Sequence, residues 1–247
     1  MSTQDSETTT HLPGSMGLAR FISKAGYGTR KQVENKVREG HVNVDGERIT
    51  DPGFSVTPDM MITIDGKLLV AHDRHYIAFN KPAGVIVSGH HNRRDRTLTE
   101  FLPHDILGLQ PAGRLDSSTS GLLLISNDNA WNAVAAGGNH LEKEFLVTVS
   151  GSVSDAEIAV LTAGMIIPGL GAVNPADAII ETRKTMSTVI RISLDDGKVR
   201  PIRDLFKALL HDVELIHRVK VGPIELGSLR SGNYRHLKSE EIEAIRG

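Results

Sequence analysis

Apolar and polar positions near the start of the chain follow a helical period. Leu18, Phe21, Ile22 and Ala25 recur at helical spacing, and Gly26 supplies a natural stop. The pattern therefore predicts a short first helix over residues 18–25.

A second helix is predicted directly afterwards. Thr29 followed three residues later by Gln32 is the signature of a capping box. Val33 and Val37 then lie on one helical face, and Gly40 ends the segment. Two alternating stretches at 41–46 and 61–66 each end in Asp-Gly, which predicts short strands closed by tight turns.

The rest of the chain is richer in strands than in helices. Strands do not alternate with helices one for one, which favours an α+β fold with a mainly antiparallel sheet flanked by helices over a doubly wound one. We predict a disordered tail at 1–15, a small α/β unit at 16–67, a linker at 68–75 and a larger domain at 76–247. In this domain the patterns predict a strand, a Pro-Gly turn and a second strand over 76–87, further strands at 122–126, 145–149, 188–194 and 219–226, and helices at 130–136, 155–163, 202–210 and 239–245.

The amino-acid composition excludes several classes of protein and of functional site. The 247 residues include no cysteine, so disulfides, thiolate metal sites and cysteine nucleophiles are excluded, and we expect a cytoplasmic protein. No apolar run is long enough to cross a membrane, and the polar first ten residues do not form a signal peptide. The net charge is -2, so nucleic acid would have to bind at local basic patches, at 20–48, 93–98 and 198–203. Each patch can also be an ordinary solvated surface.

Residues 20–32 and 42–46 resemble the small RNA-binding domain named after ribosomal protein S4. The resemblance covers about fifty residues and implies that Arg20, Lys24, Arg30 and Lys31 bind RNA. The alternative is an amphipathic helical hairpin with ordinary surface cations.

The most informative string is Gly-Arg-Leu-Asp at 113–116, followed by small residues and an apolar run to Ser126. By its spacing alone, Asp116 is more typical of a turn residue that accepts local backbone hydrogen bonds. The whole string, however, resembles the catalytic motif of RNA pseudouridine synthases, in particular the branch that modifies single sites in ribosomal RNA. The resemblance extends over residues 17–247.

This resemblance implies roles for particular residues. Asp116 would act as the nucleophile, and Arg203 would be the cation that keeps it ionised, since a buried carboxylate otherwise tends to hold its proton. Arg114 would fill the space of the displaced base or hold its phosphate, and Phe145 would stack on the uracil. The alternatives are an exposed helix residue for Arg203, a salt bridge within the turn for Arg114, and a core aromatic for Phe145. The strand-turn element at 80–84 also matches the family and is interpreted as support for the pocket.

Several positions depart from the family pattern. Phe145 replaces the usual tyrosine, Pro201 removes a backbone donor, and Asp204 replaces a cation. These changes weaken the RNA contact expected around Arg200. They leave open a second hypothesis, a non-catalytic RNA-binding or ribosome-assembly protein. A carboxylate-pair hydrolase is disfavoured, because Asp128 is separated from the motif by an apolar strand.

The chemistry requires neither cofactor nor metal, since isomerising uridine involves no redox change. The histidine pair at 90–91 lacks a convincing ligand spacing and is interpreted as a loop. We expect ribosomal RNA as the partner, with the stretch at 138–144 slightly favouring the large-subunit RNA. Transfer RNA is a second possible substrate, and we expect a monomer.

Overall fold

The computed structural model describes residues 15–69, 73–87, 95–106, 108–138, 141–194 and 200–247. The predicted tail up to residue 14, the histidine pair at 90–91 and the basic residues at 93, 94 and 198 lie outside the described residues, as does the side chain of Arg200. The chain divides into two compact units, with the boundary between Arg74 and His75. Among the described residues, no helix is long and apolar enough to span a bilayer.

The first unit contains the two predicted helices and two small sheets. Thr29 and Gln32 form the predicted capping box, which fixes the start of the second helix. Asp45 and Asp65 adopt a positive φ of 51° in the turns that close two of the strands, as an Asp-Gly hairpin requires. The elements are β1 Met16–Gly17, α1 Leu18–Lys24, α2 Arg30–Arg38, β2 Val42–Val44, β3 Glu47–Ile49, β4 Ser55–Val56, β5 Ile62–Ile64 and β6 Lys67–Leu68.

These elements enclose one small apolar core. The strand order β3-β2-β5-β6 is antiparallel throughout, and β1 pairs with β4. The helices bury the face predicted from their periodicity, and the strands add every second residue. The buried side chains are Leu18, Ala19, Ile22, Val33, Val37, Val42, Val44, Val56, Ile62 and Ile64.

The second unit is built on one large sheet. Its main strands lie in the order β13-β14-β10-β15-β9-β7-β17, with β8 paired to β9 and β16 to β15. All of these pairs are antiparallel except β15 with β9. A separate two-stranded sheet is formed by β11 and β12. The strands of the unit are β7 Tyr76–Lys81, β8 Gln110–Pro111, β9 Ser120–Ser126, β10 Lys143–Ser150, β11 Met165–Ile167, β12 Gly171–Val173, β13 Asp177–Arg183, β14 Ser187–Leu194, β15 Val213–Val221, β16 Ile224–Glu225 and β17 Tyr234–His236.

Helices flank this sheet, so the predicted α+β class with a mainly antiparallel sheet is confirmed. The helices are α3 Asn129–Ala133, α4 Asp155–Ala163, α5 Arg200–Ala208 and α6 Ser239–Arg246. Pro201 lies in the first turn of α5, where a missing backbone N–H breaks no helical hydrogen bond.

Two strand predictions are wrong in their extent. The strand predicted at 219–226 begins earlier, at Val213, and is interrupted at Gly222, which has a positive φ of 52°. The strand predicted after the turn at 82–84 is reduced, among the described residues, to one bridge between Ile86 and Thr97.

Two adjacent strands, β7 and β9, form the buried centre of the sheet and position the site. Every residue of β7 is buried, as is every residue of β9 after Ser120. On its other side, β9 pairs in parallel with β15, and the two strands come close at Gly121, where a Cβ atom would overlap the backbone of Arg218. Glycine at this position, with its φ of 104°, therefore fixes where β9 begins and where the preceding loop ends.

Candidate active site

The loop that precedes β9 presents Asp116 at the surface. Leu115 is buried and anchors the loop, whereas Arg114 and Asp116 on either side of it are exposed. The N–H of Thr119 donates to the carbonyl oxygen of Asp116 over 3.1 Å, and Thr119 itself is buried. The carboxylate thus stands on a short turn, called the catalytic loop below (residues 113–119), held at both ends by buried side chains. The role implied for Arg203 presupposes a buried carboxylate, whereas Asp116 is exposed.

Hydrogen bonds from a buried lysine fix the position of the catalytic loop. Lys81 ends β7, is completely buried, and donates from Nζ to the carbonyl oxygens of Pro82 and Val85, each over 2.9 Å, and of Ser117 over 3.3 Å. The same Ser117 carbonyl accepts from the N–H of Gly84 over 2.7 Å. One ammonium group therefore ties the strand-turn element at 80–84 to the residue next to Asp116.

The charge of Lys81 lies close enough to Asp116 to interact with it. Burial lowers the pKa of Lys81 to about 8, and the negative charge of Asp116 acts in the opposite direction. The supporting role predicted for the element at 80–84 did not single out Lys81. A lysine that directly follows the apolar run at 76–79 and Asn80 is the signal that could have found it.

Arg203 reaches the catalytic loop from α5. Its guanidinium donates to Ser118 Oγ over 3.2 Å and to the carbonyl oxygen of Val213 over 3.4 Å. Ile202 and Phe206 on the same helix are completely buried, which fixes its position against the sheet. Among the described residues no ion pair within 4.0 Å joins Arg203 to Asp116. The structure thus brings Arg203 to the loop, and its direct pairing with the carboxylate stays a prediction.

Phe145 and Arg218 face each other across neighbouring strands. Phe145 on β10 is completely buried and lies opposite Arg218 in the register of β10 and β15. Arg218 is also buried; its Nε donates to the carbonyl oxygen of Leu122 over 2.7 Å, and burial lowers its pKa to about 10. Phe145 therefore offers no exposed ring face in the free protein. Its stacking role stays a prediction and requires neighbouring side chains to move.

The cations predicted to bind RNA in the first unit are all on the surface. Arg20, Lys24, Arg30 and Lys31 are exposed on α1 and α2. Arg30 is partly neutralised by Glu34, at 2.9 Å, one helical turn away. In the second unit, Arg114 is exposed and forms no ion pair with any described residue.

The comparisons with known proteins agree on one family. The model of the RNA pseudouridylate synthase family matches residues 75–208, and that of the S4 domain matches residues 16–62. The uncharacterized RNA pseudouridine synthase YtzG of Bacillus subtilis (strain 168) is 31% identical over 93% of this chain and 98% of its own length. Ribosomal large subunit pseudouridine synthase B of the same organism is 28% identical over 93% of this chain and 95% of its own. A crystal structure of a pseudouridylate synthase, 28% identical, superposes with a TM-score of 0.63 over 93% of this chain and 99% of its own.

This chain therefore belongs to the RNA pseudouridylate synthase family and carries an N-terminal S4 domain. Both resemblances noted in the sequence are confirmed.

Proposed function

We propose that the enzyme converts one specific uridine of ribosomal RNA to pseudouridine, with Asp116 as the nucleophile. The single observation that carries the proposal is the geometry of Asp116, which is exposed on a loop that Lys81 and Arg203 hold from two sides. Ribosomal RNA is favoured because a relative that matches nearly the whole chain is named for the large ribosomal subunit. Large-subunit RNA is the first substrate to test, with small-subunit RNA and transfer RNA as alternatives.

The reaction sets the tasks of these residues. The bond between C1′ of the ribose and N1 of the uracil breaks, the base rotates, and a new bond joins C1′ to C5. The proton on C5 is lost and N1 gains one, so atoms and charge balance without a redox partner. Asp116 adds to the ribose or the ring, or removes a proton, to open this path. The target base must first leave its stack to reach the loop.

The surrounding residues complete the proposal. Lys81 keeps the catalytic loop in one conformation, and Arg203 stabilises the carboxylate charge once RNA covers it and excludes water. Arg114, exposed two residues before Asp116, contacts the backbone of the flipped nucleotide or fills the space that the base leaves. Phe145 stacks on the uracil once the side chains that cover its ring have moved aside.

The second hypothesis is an RNA-binding protein that has lost catalysis. Its support is that Phe145, Pro201 and Asp204 depart from the family pattern. One of these supports is weakened by the fold, because Pro201 occupies a helical first turn that tolerates it. We therefore retain catalysis as the proposal.

The experiment that tests the proposal is pseudouridine mapping of total RNA from cells with and without the gene. We expect one ribosomal uridine to lose its modification, and the gene carried on a plasmid to restore it. If the single lost pseudouridine lies in transfer RNA, the proposed substrate is wrong but the proposed activity stands. If both strains carry the same pseudouridines and the purified protein does not modify ribosomal RNA, the result would support the hypothesis of a non-catalytic RNA-binding protein.

The S4 domain gives a second expected result, based on the unequal partners of two neighbouring cations. Lys31→Gln should lower the affinity for RNA more than Arg30→Gln, because Glu34 already offsets the charge of Arg30. Each lost phosphate contact should also reduce the slope of log affinity against log salt by about 0.7 to 0.9. Fluorescence anisotropy over a salt series measures both quantities. Equal effects of the two variants would show that the ion pair opens when RNA binds.

A further inference from the structure

Arg218 on β15 carries a buried charge to which the reaction described above assigns no role. The residue is only 4% exposed. Its Nε donates to the carbonyl oxygen of Leu122 over 2.7 Å. Among the described residues, neither of its Nη groups donates a hydrogen bond, and no carboxylate lies within 4.0 Å of the guanidinium. Within the described parts of the chain, the Nη donors and the positive charge therefore have no protein partner.

The hydrogen bond to Leu122 does not explain why this position carries a charge. A neutral side chain with one N–H group could donate to the same carbonyl oxygen. Moving a cation out of water costs free energy that one neutral acceptor does not restore. Burial accordingly lowers the pKa of Arg218 to about 10, yet the group still holds its proton at neutral pH. Because buried and perturbed ionisable groups concentrate at functional sites, the missing counter-charge is expected from a ligand.

The register of the sheet places this charge within the candidate active site. β15 lies between β9 and β10, so Arg218 has a direct neighbour on either side. One neighbour is Gly121, two residues after the catalytic loop, and the other is Phe145, the ring proposed to stack on the uracil. Residues directly opposite each other on antiparallel strands project from the same face, with Cβ atoms about 4.5–5.5 Å apart. A uracil stacked on Phe145 would therefore lie beside the guanidinium of Arg218.

The proposed reaction creates a negative charge on the base. When the bond between C1′ and N1 breaks, its electron pair stays with N1, and resonance spreads the charge over N1, O2 and O4 of the uracil. The charge disappears when C5 forms its bond to C1′, and the proton then lost from C5 is balanced by the one that N1 gains. Hydrogen-bond donors that are already fixed where such a charge develops lower the barrier.

We propose that Arg218 stabilises the detached uracil anion by donating from its Nη groups to a uracil carbonyl oxygen. The base supplies the missing counter-charge while it is detached. The movement of covering side chains that exposes the ring of Phe145 also exposes the guanidinium beside it. This inference rests on the proposed function, because it assigns a residue to the bond-breaking step of that reaction.

Arg218→Gln separates the charge from the hydrogen bond. The Nε2 atom of glutamine follows the same number of side-chain atoms as the Nε atom of arginine, so it can still donate to the carbonyl oxygen of Leu122. Only the charged end of the side chain is removed. Arg218→Lys retains the charge in a different shape. The control is Lys184→Gln, which removes one positive charge from an exposed lysine of the β13–β14 hairpin.

We expect Arg218→Gln to lower kcat on the order of 10²-fold with little change in KM, because the charge acts only as the base detaches. Arg218→Lys should retain part of the rate, and Lys184→Gln should retain all of it. The midpoint of thermal unfolding of Arg218→Gln should stay the same or rise, since an uncompensated buried charge is removed. Release of tritium from C5 of the target uridine measures the rate.

Target uridines with sulfur in place of O2 or O4 test for direct contact with the base. Sulfur is a weaker hydrogen-bond acceptor than oxygen. The ratio of the wild-type rate to the Arg218→Gln rate should therefore fall with one of the two substitutions, which is the coupling that a double-mutant cycle measures. An arginine that only supported the fold would give the same ratio on all three substrates.

Two kinds of result would overturn the inference and leave the proposed function intact. The first is an Arg218→Gln protein with the kcat of Lys184→Gln, or with an equal loss on all three substrates. The second is an unchanged kcat together with weaker RNA binding and a salt slope reduced by about 0.7, because Arg218 would then contact a phosphate. A wild type that modifies no RNA would instead contradict the proposed function, and the inference with it.

Discussion

Asp116→Asn should abolish pseudouridine formation while the protein still binds RNA. Asparagine keeps the shape of the side chain but cannot act as a nucleophile or take up a proton, so we expect kcat to fall on the order of 10⁴-fold or more. Because Asp116 is exposed and its carboxylate forms no ion pair within 4.0 Å with a described residue, the free energy of unfolding should change by less than about 0.5 kcal/mol.

The control for this substitution is Asp105→Asn, since Asp105 is also an exposed carboxylate in a loop of the second unit. Pseudouridine formed from labelled RNA measures activity, and anisotropy measures binding. An Asp116→Asn protein with more than about a tenth of the wild-type rate would contradict the nucleophile assignment. An inactive wild type that binds RNA as tightly as Asp116→Asn would instead support the binder hypothesis.

Lys81→Met should both destabilise the protein and slow the reaction. Methionine has a similar length but cannot donate a hydrogen bond. The carbonyl oxygens of Pro82, Val85 and Ser117 would each lose their hydrogen bond from Lys81. Removing one partner of a buried polar group costs about 1–3 kcal/mol, so we expect a loss on the order of 3 kcal/mol in the free energy of unfolding. Denaturant titration measures this quantity.

The effect of Lys81→Met on the reaction must be separated from its effect on stability. At temperatures where the variant is folded, kcat should fall and KM should change less, because the carboxylate is displaced rather than removed. Lys184→Met, at an exposed lysine, is the matched control and should leave both quantities unchanged. A destabilised Lys81→Met protein with wild-type kcat would restrict Lys81 to a purely structural role.

The lowered pKa of Lys81 predicts the direction of a pH effect. The group titrates near pH 8 when folded and near 10.5 when unfolded, so between these values the unfolded chain holds a proton that the folded protein has released. The free energy of unfolding of the wild type, measured relative to Lys81→Met, should therefore rise as the pH increases through this window and stay constant below it. A constant difference throughout the window would show that the three carbonyl groups keep the ammonium charged.

Local features were predictable wherever neighbouring residues decide the conformation. The capping box of Thr29 with Gln32, the Asp-Gly turns at 45–46 and 65–66, and the helix 155–163 follow from contacts within a few residues. The strings around residues 20–46 and 113–116 likewise carried enough information to identify the S4 domain and the family.

Predictions that depended on distant residues were less complete. The start of β15 at Val213 was missed, because its exposed positions hide the apolar alternation that pairing with β10 and β9 creates. Phe145 was assigned a stacking role, and only the packing of the sheet shows that its ring is covered.

The sequence by itself determined the helices, the central strands β7, β9 and β10, the family and the residue expected to react. Only the tertiary structure showed how Asp116 is held, by Lys81 from 36 residues before Ser117 and by Arg203 from 85 residues after Ser118. The physical reason is that these hydrogen bonds form only after β7, β9 and α5 have packed together. No pattern of neighbouring residues records which carbonyl or hydroxyl group a buried lysine or a helix arginine will meet.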